Sequence, residues 1–287
     1  MEKTFQYKQF NIRYSDTGEG VPVVLLHGFG EDSHIWNQQS TFLEPHCRLI
    51  IPDLPASGGS LPIGPDVEHQ ITSGIPSSID KMAEAVAALV AHENIELFVL
   101  LGHSMGGYIT LALAEKHPEK LMGFGLIHST AFADDEEKKA NRRKGIEFVR
   151  KNGGYAFLQT AIPGLFSQSF KEKQPGPVAA QIRQFDPSIT NKAVVDAAVI
   201  AYYEAMIARP GRTSVLESSK TPVLFIIGTE DKAVPMEDTL KQVPLPAISY
   251  VHILENTGHM SMLESTGVLN KHLLNFVNDL KQTINIQ

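Results

Sequence analysis

Leu97-Phe-Val-Leu-Leu-Gly-His-Ser-Met-Gly-Gly-Tyr-Ile-Thr-Leu-Ala-Leu-Ala-Glu-Lys116 is the stretch on which the fold turns. It opens with a short continuous apolar run, Leu97–Leu101, the pattern of a strand covered on both faces. It closes with Met105–Lys116, a run of good helix formers. Between them lies Gly102-His103-Ser104-Met105-Gly106, a G-x-S-x-G. That pattern carries meaning only with a strand before it and a helix after it, and both flanks are present. The reason is steric. The serine occupies a tight, strained turn, so the residues two before and two after it must be small. The turn projects the hydroxyl from the strand end and aims a helix N-terminus at the same place. A glycine-rich turn that merely starts a helix is the bland alternative, and the flanking pattern favours the sharper one.

Working outward, further apolar runs alternate with helical patterns, which predicts an α/β fold with a mostly parallel sheet. Thr4–Phe10 and Ile12–Asp16 read as a hairpin of alternating polarity. Val21–Leu26, Arg48–Pro52, Gly123–His128, Pro222–Gly228 and Ile248–Leu254 read as buried strands. Ser78–Glu93 and Val268–Lys281 carry apolar residues at helical spacing, the first with Ser78 or Asp80 as cap. From about Thr130 to Ser219 the alternation stops. Asp134–Lys151 begins acidic and ends basic, in keeping with a helix dipole, and Thr190–Ala208 is a second helical pattern. We therefore divide the chain into a core (residues 1–129), a helical insertion (130–219) and a core continuation (220–287).

Composition narrows the function. The 287 residues include 25 Lys and Arg against 32 Asp and Glu, a formal net charge of −7. A nucleic-acid binder would show a basic face instead. A chain of this length buries about three quarters of its unfolded surface without help from disulfides. The single cysteine, Cys47, cannot pair internally and reads as a small core residue. No apolar run approaches the ~20 residues that span a bilayer, and the N-terminus lacks a secretory pattern, so a cytoplasmic protein is expected. No metal-ligand spacing and no nucleotide fingerprint appears, so no metal and no cofactor is expected.

A serine hydroxyl needs a base to become a nucleophile. In the strand–turn–helix setting the order along the chain is nucleophile, acid, histidine. Of the late histidines, His252 falls inside a strand pattern and His272 inside the terminal helix. His259, in the turn-like Asn256-Thr-Gly-His-Met260, follows a strand end, where α/β sheets place their sites. Asp231, in the loop after Pro222–Gly228, is the preferred acid, with Glu230 the near alternative; its task is to orient the imidazole. Asp134 and Asp135 read as caps of the helix that follows them. For a developing oxyanion, the backbone N–H groups of Phe29, in His27-Gly-Phe-Gly30, and of Met105 are the expected donors. His27 and His103 read as scaffold.

These pieces together resemble the α/β-hydrolase family over nearly the whole chain. The resemblance rests on His27-Gly-Phe-Gly30, Pro52-Asp-Leu-Pro-Ala-Ser-Gly-Gly-Ser60, Gly102–Gly107, Gly228–Asp231 and Gly258-His259. It implies an eight-stranded, mostly parallel sheet with a helical cap inserted after the sixth strand. Leu61–Ser78 looks longer than in compact members, and we expect it near the pocket mouth. Ser104 sets the chain apart from relatives with aspartate at the elbow. It suits a serine hydrolase acting on a carboxylic ester of a small or medium acyl group. Thioester, lactone, amide or C–C bond cleavage, perhydrolysis, and a slow-turnover ligand receptor are the alternatives.

The substrate is then a small-molecule ester or thioester, with no nucleic-acid or membrane partner, in a monomer or homodimer. Trp36, Phe132, Phe157, Phe166, Tyr202, Met206 and Met260 are candidates for an apolar pocket. Lys138, Lys139, Arg142, Arg143 and Lys144 form a basic run on the insertion. It reads first as a solvated helix end and second as a docking patch for an acidic carrier protein.

Overall fold

The computed structural model describes residues 1–62, 75–76 and 78–284. Most of Leu61–Ser78 lies outside the described residues, and with it the expectation for the pocket mouth.

Eight strands form one sheet: β1 (Glu2–Tyr7), β2 (Phe10–Thr17), β3 (Pro22–Leu26), β4 (Arg48–Pro52), β5 (Phe98–His103), β6 (Leu121–Ile127), β7 (Val223–Gly228) and β8 (Ser249–Leu254). Their spatial order is β1-β2-β4-β3-β5-β6-β7-β8. Only β2 runs against its neighbours; β4 through β8 are parallel. The hairpin turn falls earlier than the polarity pattern suggested. Lys8 takes a left-handed φ of 52°, so Phe10 opens β2. There it shares a buried face with Ile12 and Tyr14, which decides the register.

The parallel strands are apolar on both faces because helices cover both. Side chains alternate between two cores. Val24, Leu26, Leu100 and Phe225 face one, built with the helix Ile79–His92. Val23, Leu25, Leu101 and Leu224 face the other, closed by the terminal helix Thr266–Ile284. On that helix Leu269, Leu273, Phe276, Val277 and Leu280 form one stripe and are at most 3% exposed. Ser78 caps the Ile79–His92 helix, its side chain accepting from Lys81 N at 3.2 Å.

Between β6 and β7 the chain is helical. Glu136–Asn152, Gly154–Ala161, Gln168–Lys173, Pro175–Arg183, Lys192–Ala208 and Thr213–Ser218 follow one another. Asp135 caps the first of them, accepting from Lys138 N at 2.7 Å. Asp134 is no cap; its carboxylate is buried between Arg142 and Arg209. Among the described residues no helix is long and apolar enough to cross a membrane. Cys47 is buried, and burial pushes its thiol up to about 11, so it stays protonated near neutrality.

Candidate active site

The site lies where the sheet reverses its winding. From β3 the chain moves to β4 on one side, then crosses back to β5 on the other. Ligand sites of open parallel sheets form outside the carboxyl ends at that reversal. Leu26 pairs with Gly102 at the ends of β3 and β5, so the loop His27–Glu31 and the turn at Ser104 emerge side by side.

Ser104 has φ 51° and ψ −114°, a backbone region that side chains rarely adopt. The surrounding chain holds it there. Its N–H donates to Ile127 O at 2.9 Å, and its carbonyl accepts from Gly107 N at 2.9 Å and Ser129 Oγ at 2.7 Å. A Cβ on Gly106 would lie 2.6 Å from Leu26 O and 2.7 Å from His27 O, so the small residue is a steric requirement. The helix Met105–Lys116 starts at once, leaving its first amides aimed at the strand end. Neither Phe29 N nor Met105 N donates to another described residue.

Asp231 follows β7 and His259 follows β8. His259 Nδ1 lies 2.8 Å from Asp231 Oδ2. The Oδ1 of the same carboxylate accepts from Ala233 N and Val234 N, each at 2.9 Å. A second imidazole joins from the end of β6: His128 Nδ1 lies 3.0 Å from the same Oδ2. All three side chains are buried. Burial alone would raise the Asp231 carboxyl, but the two imidazoles, His259 and His128, outweigh it and hold it well below the usual range. Burial would lower His259, and the Asp231 charge outweighs that too, leaving its imidazole more basic than usual. His128 goes the other way: burial wins over Asp231 and keeps it neutral. These three groups are close enough for a metal, lying within 4.8 Å of one another. Yet both Nδ1 atoms are turned to one carboxylate oxygen, an arrangement for hydrogen bonds and not for converging lone pairs.

A second buried line supports the first. Glu31 Oε2 accepts from Gly28 N at 2.6 Å and meets His103 Nδ1 at 2.9 Å. His103 Nε2 in turn reaches the carbonyl of His259 at 2.9 Å. His27 Nε2 accepts from Leu54 N at 2.9 Å, tying the loop after β3 to the chain after β4. Glu264 anchors the histidine loop: Oε2 accepts from Gly258 N at 3.1 Å and Ser167 N at 2.9 Å, Oε1 from Met260 N at 3.1 Å. His259 N donates to Leu165 O at 2.7 Å.

Ser104 and His259 line one cavity of about 160 Å³, with Phe29, Glu31, Tyr108, Arg142, Leu158, Tyr203, Met206 and Val234 among its walls. No hydrogen bond joins Ser104 to His259, a spacing common in unliganded sites. Of the pocket candidates, Met206 lies on this wall. Phe157 stands behind Phe29, edge-on at 6.4 Å. Phe166 stacks on Phe170 at 5.5 Å, away from the cavity. Tyr202 donates to Pro55 O and lines a neighbouring cavity of about 540 Å³, which shares Phe29, Glu31 and Leu158 with the cavity at Ser104. Trp36 and Met260 are fully buried in the core, and Phe132 lines a cleft near Asp134.

Glu31, His128 and Arg142 belong to the site without having been singled out for it. For His128 the available signal was a polar residue closing the apolar run Gly123–Ile127. For Glu31 it was an acid directly behind the glycine turn Gly28-Phe-Gly30. Arg142, read as part of a solvated run, turns inward while Arg143 and Lys144 stay exposed.

Residues 21–266 match the family model described as alpha/beta hydrolase fold. The 2-hydroxy-6-oxononadienedioate/2-hydroxy-6-oxononatrienedioate hydrolase of Escherichia coli K12 is 26% identical over 94% of this chain and 92% of its own. The dihydrolipoyllysine-residue acetyltransferase component of the acetoin cleaving system from Pseudomonas putida is 27% identical over 90% of this chain, which spans 64% of that protein. A thermophilic esterase from Thermogutta terrifontis, solved with malate bound, superposes with a TM-score of 0.83 at 27% identity, covering 98% of this chain and 99% of that one. With that sheet order, that serine turn and a family match across most of its length, the chain belongs to the alpha/beta hydrolase fold family.

Proposed function

We propose that this chain is a serine hydrolase that cleaves carboxylic esters of small acyl groups, with Ser104, His259 and Asp231 as its triad. The observation that carries the reading is the Asp231–His259 pair opening onto the same small cavity as the strained Ser104. Ser104 Oγ attacks the ester carbonyl carbon while His259 Nε2 takes the hydroxyl proton. The carbonyl oxygen becomes an oxyanion and accepts from the N–H groups of Phe29 and Met105. Collapse breaks the bond to the alcohol oxygen, which leaves with the proton from His259. Water then attacks the acyl-serine with His259 again as base, and the acid departs. Asp231 keeps the imidazole in the tautomer with Nδ1–H and stabilises the imidazolium.

The volume supports a small acyl group. About 160 Å³ is well below the ~300–1,000 Å³ of pockets that enclose drug-sized ligands. Residues 130–219 act in this reading as a cap, because Arg142, Leu158, Tyr203 and Met206 on that segment wall the cavity opposite Ser104. Labelling with a fluorophosphonate, followed by mass spectrometry of the modified peptide, tests the assignment. A single adduct on Ser104, absent in Ser104→Ala and strongly reduced in His259→Ala, is expected. A folded protein that takes no label, or takes it elsewhere, refutes the triad.

A further inference from the structure

The cavity beside Ser104 carries a cation, Arg142, whose donors are only partly used by the described residues. Arg142 stands on the helix Glu136–Asn152 with its side chain 20% exposed, and it lines the cavity together with Ser104 and His259. Its Nε donates to Asp134 Oδ2 at 2.6 Å. The same Asp134 also pairs with Arg209 Nη1 at 2.8 Å, so one carboxylate serves two guanidinium groups. Arg209 spends its other donors on the carbonyls of Met206 and Phe132 and lies 3.8 Å from the centre of the Tyr108 ring. Among the described residues Arg142 has no such outlets. Beyond Nε, no described residue accepts from its guanidinium, which sits 5.3 Å from the Tyr203 ring centre. A guanidinium offers five N–H donors in a fixed fork that matches a carboxylate. The cluster Asp134, Arg142 and Arg209 therefore leaves one positive charge in excess on the cavity wall. Glu31, the acidic member of the cavity, turns its Oε2 to Gly28 N and His103 and does not neutralise it.

We propose that Arg142 recognises an anion in this site, and that the substrates it selects are half-esters of short dicarboxylic acids. The inference rests on the serine-hydrolase reading above. The ester carbonyl sits at Ser104, and the acyl chain crosses a cavity of about 160 Å³ to place its free carboxylate on the open edge of the guanidinium. Phe29, Leu158 and Met206 accommodate the intervening methylenes. The flanking tyrosine rings limit water, which strengthens a charge-assisted contact.

The test compares mono-(4-nitrophenyl) succinate with 4-nitrophenyl butyrate, esters of equal chain length that differ in the terminal carboxylate. Wild type, Arg142→Gln and Arg142→Lys are assayed, with folding checked by Tm. The ratio of kcat/KM for the two esters is expected to fall about 10- to 100-fold in Arg142→Gln, the size of one charge-assisted contact. Arg142→Lys, which keeps the charge but loses the fork, should recover part of that ratio. A second readout needs no turnover: succinate should raise the Tm of wild type and not of Arg142→Gln. An unchanged ratio together with no succinate-dependent Tm shift overturns the role of Arg142, whatever happens to the butyrate. Succinate stabilisation without hydrolysis of either ester leaves the anion site standing and overturns the hydrolase reading instead.

Discussion

His128 and His259 share a single oxygen. Both Nδ1 atoms point at Oδ2 of Asp231, at 3.0 and 2.8 Å, and the two rings sit 5.7 Å apart. With Oδ1 taken by two backbone amides, every accessible acceptor direction of this carboxylate is in use. The carboxylate is thus fixed in orientation, and the His259 imidazole, which lines the cavity with Ser104, is fixed with it.

Asp231→Asn puts an amide where two imidazoles and two backbone N–H groups require an acceptor. One side of the group must then present donors to donors, and the His259 tautomer is lost. Ester hydrolysis should fall in kcat by about 10⁴-fold, as in other triads of this geometry. Steady-state kinetics on a short-chain 4-nitrophenyl ester measure it, with retained far-UV circular dichroism as the folding control.

His128 combines the shared contact with a left-handed φ of 50° and a buried Nε2 that has no partner. His128→Val removes a donor from Asp231 and places a β-branched residue in that backbone region. A loss of about 1–3 kcal/mol is expected. His128→Asn tolerates the backbone and keeps a donor, so it should lose clearly less. Urea midpoints for the two variants decide the point; equal losses would mean that neither the φ nor the contact matters.

Activity and stability should respond to pH differently. In the proposed mechanism neutral His259 is the form that accepts a proton, and its pKa lies above the ordinary 6.5 because the Asp231 charge overrides burial. The acid limb of kcat/KM should therefore have its midpoint above 6.5 and move down in Asp231→Asn. For stability the signs oppose. The raised His259 contributes fully below 6.5 and its contribution fades as pH rises through its folded value. The lowered His128 contributes above 6.5 and its contribution is lost as pH falls through its folded value. Unfolding free energy against pH should then peak near 6.5, and a flat profile from about pH 5 to 8 would contradict the opposed pair.

Glu31→Gln leaves His103 without its carboxylate in a fully buried position. Losing a charged acceptor from buried hydrogen bonds costs about 1.5–3 kcal/mol. Because His103 also holds the carbonyl of His259, activity should fall along with Tm. Calorimetry and ester kinetics on the same preparation check both.

Much of this molecule is legible in its sequence because the parallel sheet is buried on both faces. Runs such as Val23–Leu26 and Val223–Ile227 leave little choice of role, and glycine at 102 and 106 marks a turn that tolerates no Cβ. Ser104, Asp231 and His259 stand at strand ends, where chain order and residue type nominate them as the candidate triad. The hairpin turn at Lys8 was harder, since only the burial of Phe10 sets its register. Arg142 shows where linear reading stops. Five basic residues in one run look alike until the packing of the helix decides which of them faces inward. Glu31 and His128 are similar: each finds its partner across 72 or 103 residues of chain, a distance no local pattern encodes.

Glu264 gives the site a mechanical property. One carboxylate suspends the amides of Gly258 and Met260, on either side of His259, and the amide of Ser167 in the helical segment above. Leu165 adds a direct bond from that segment to His259 itself. Any displacement that lifts residues 165–167 away from the sheet pulls on the peptide that aims the imidazole. In the proposed mechanism access and reactivity are thereby tied together, because the bonds that hold residues 165–167 against the sheet are the ones that hold the His259 loop.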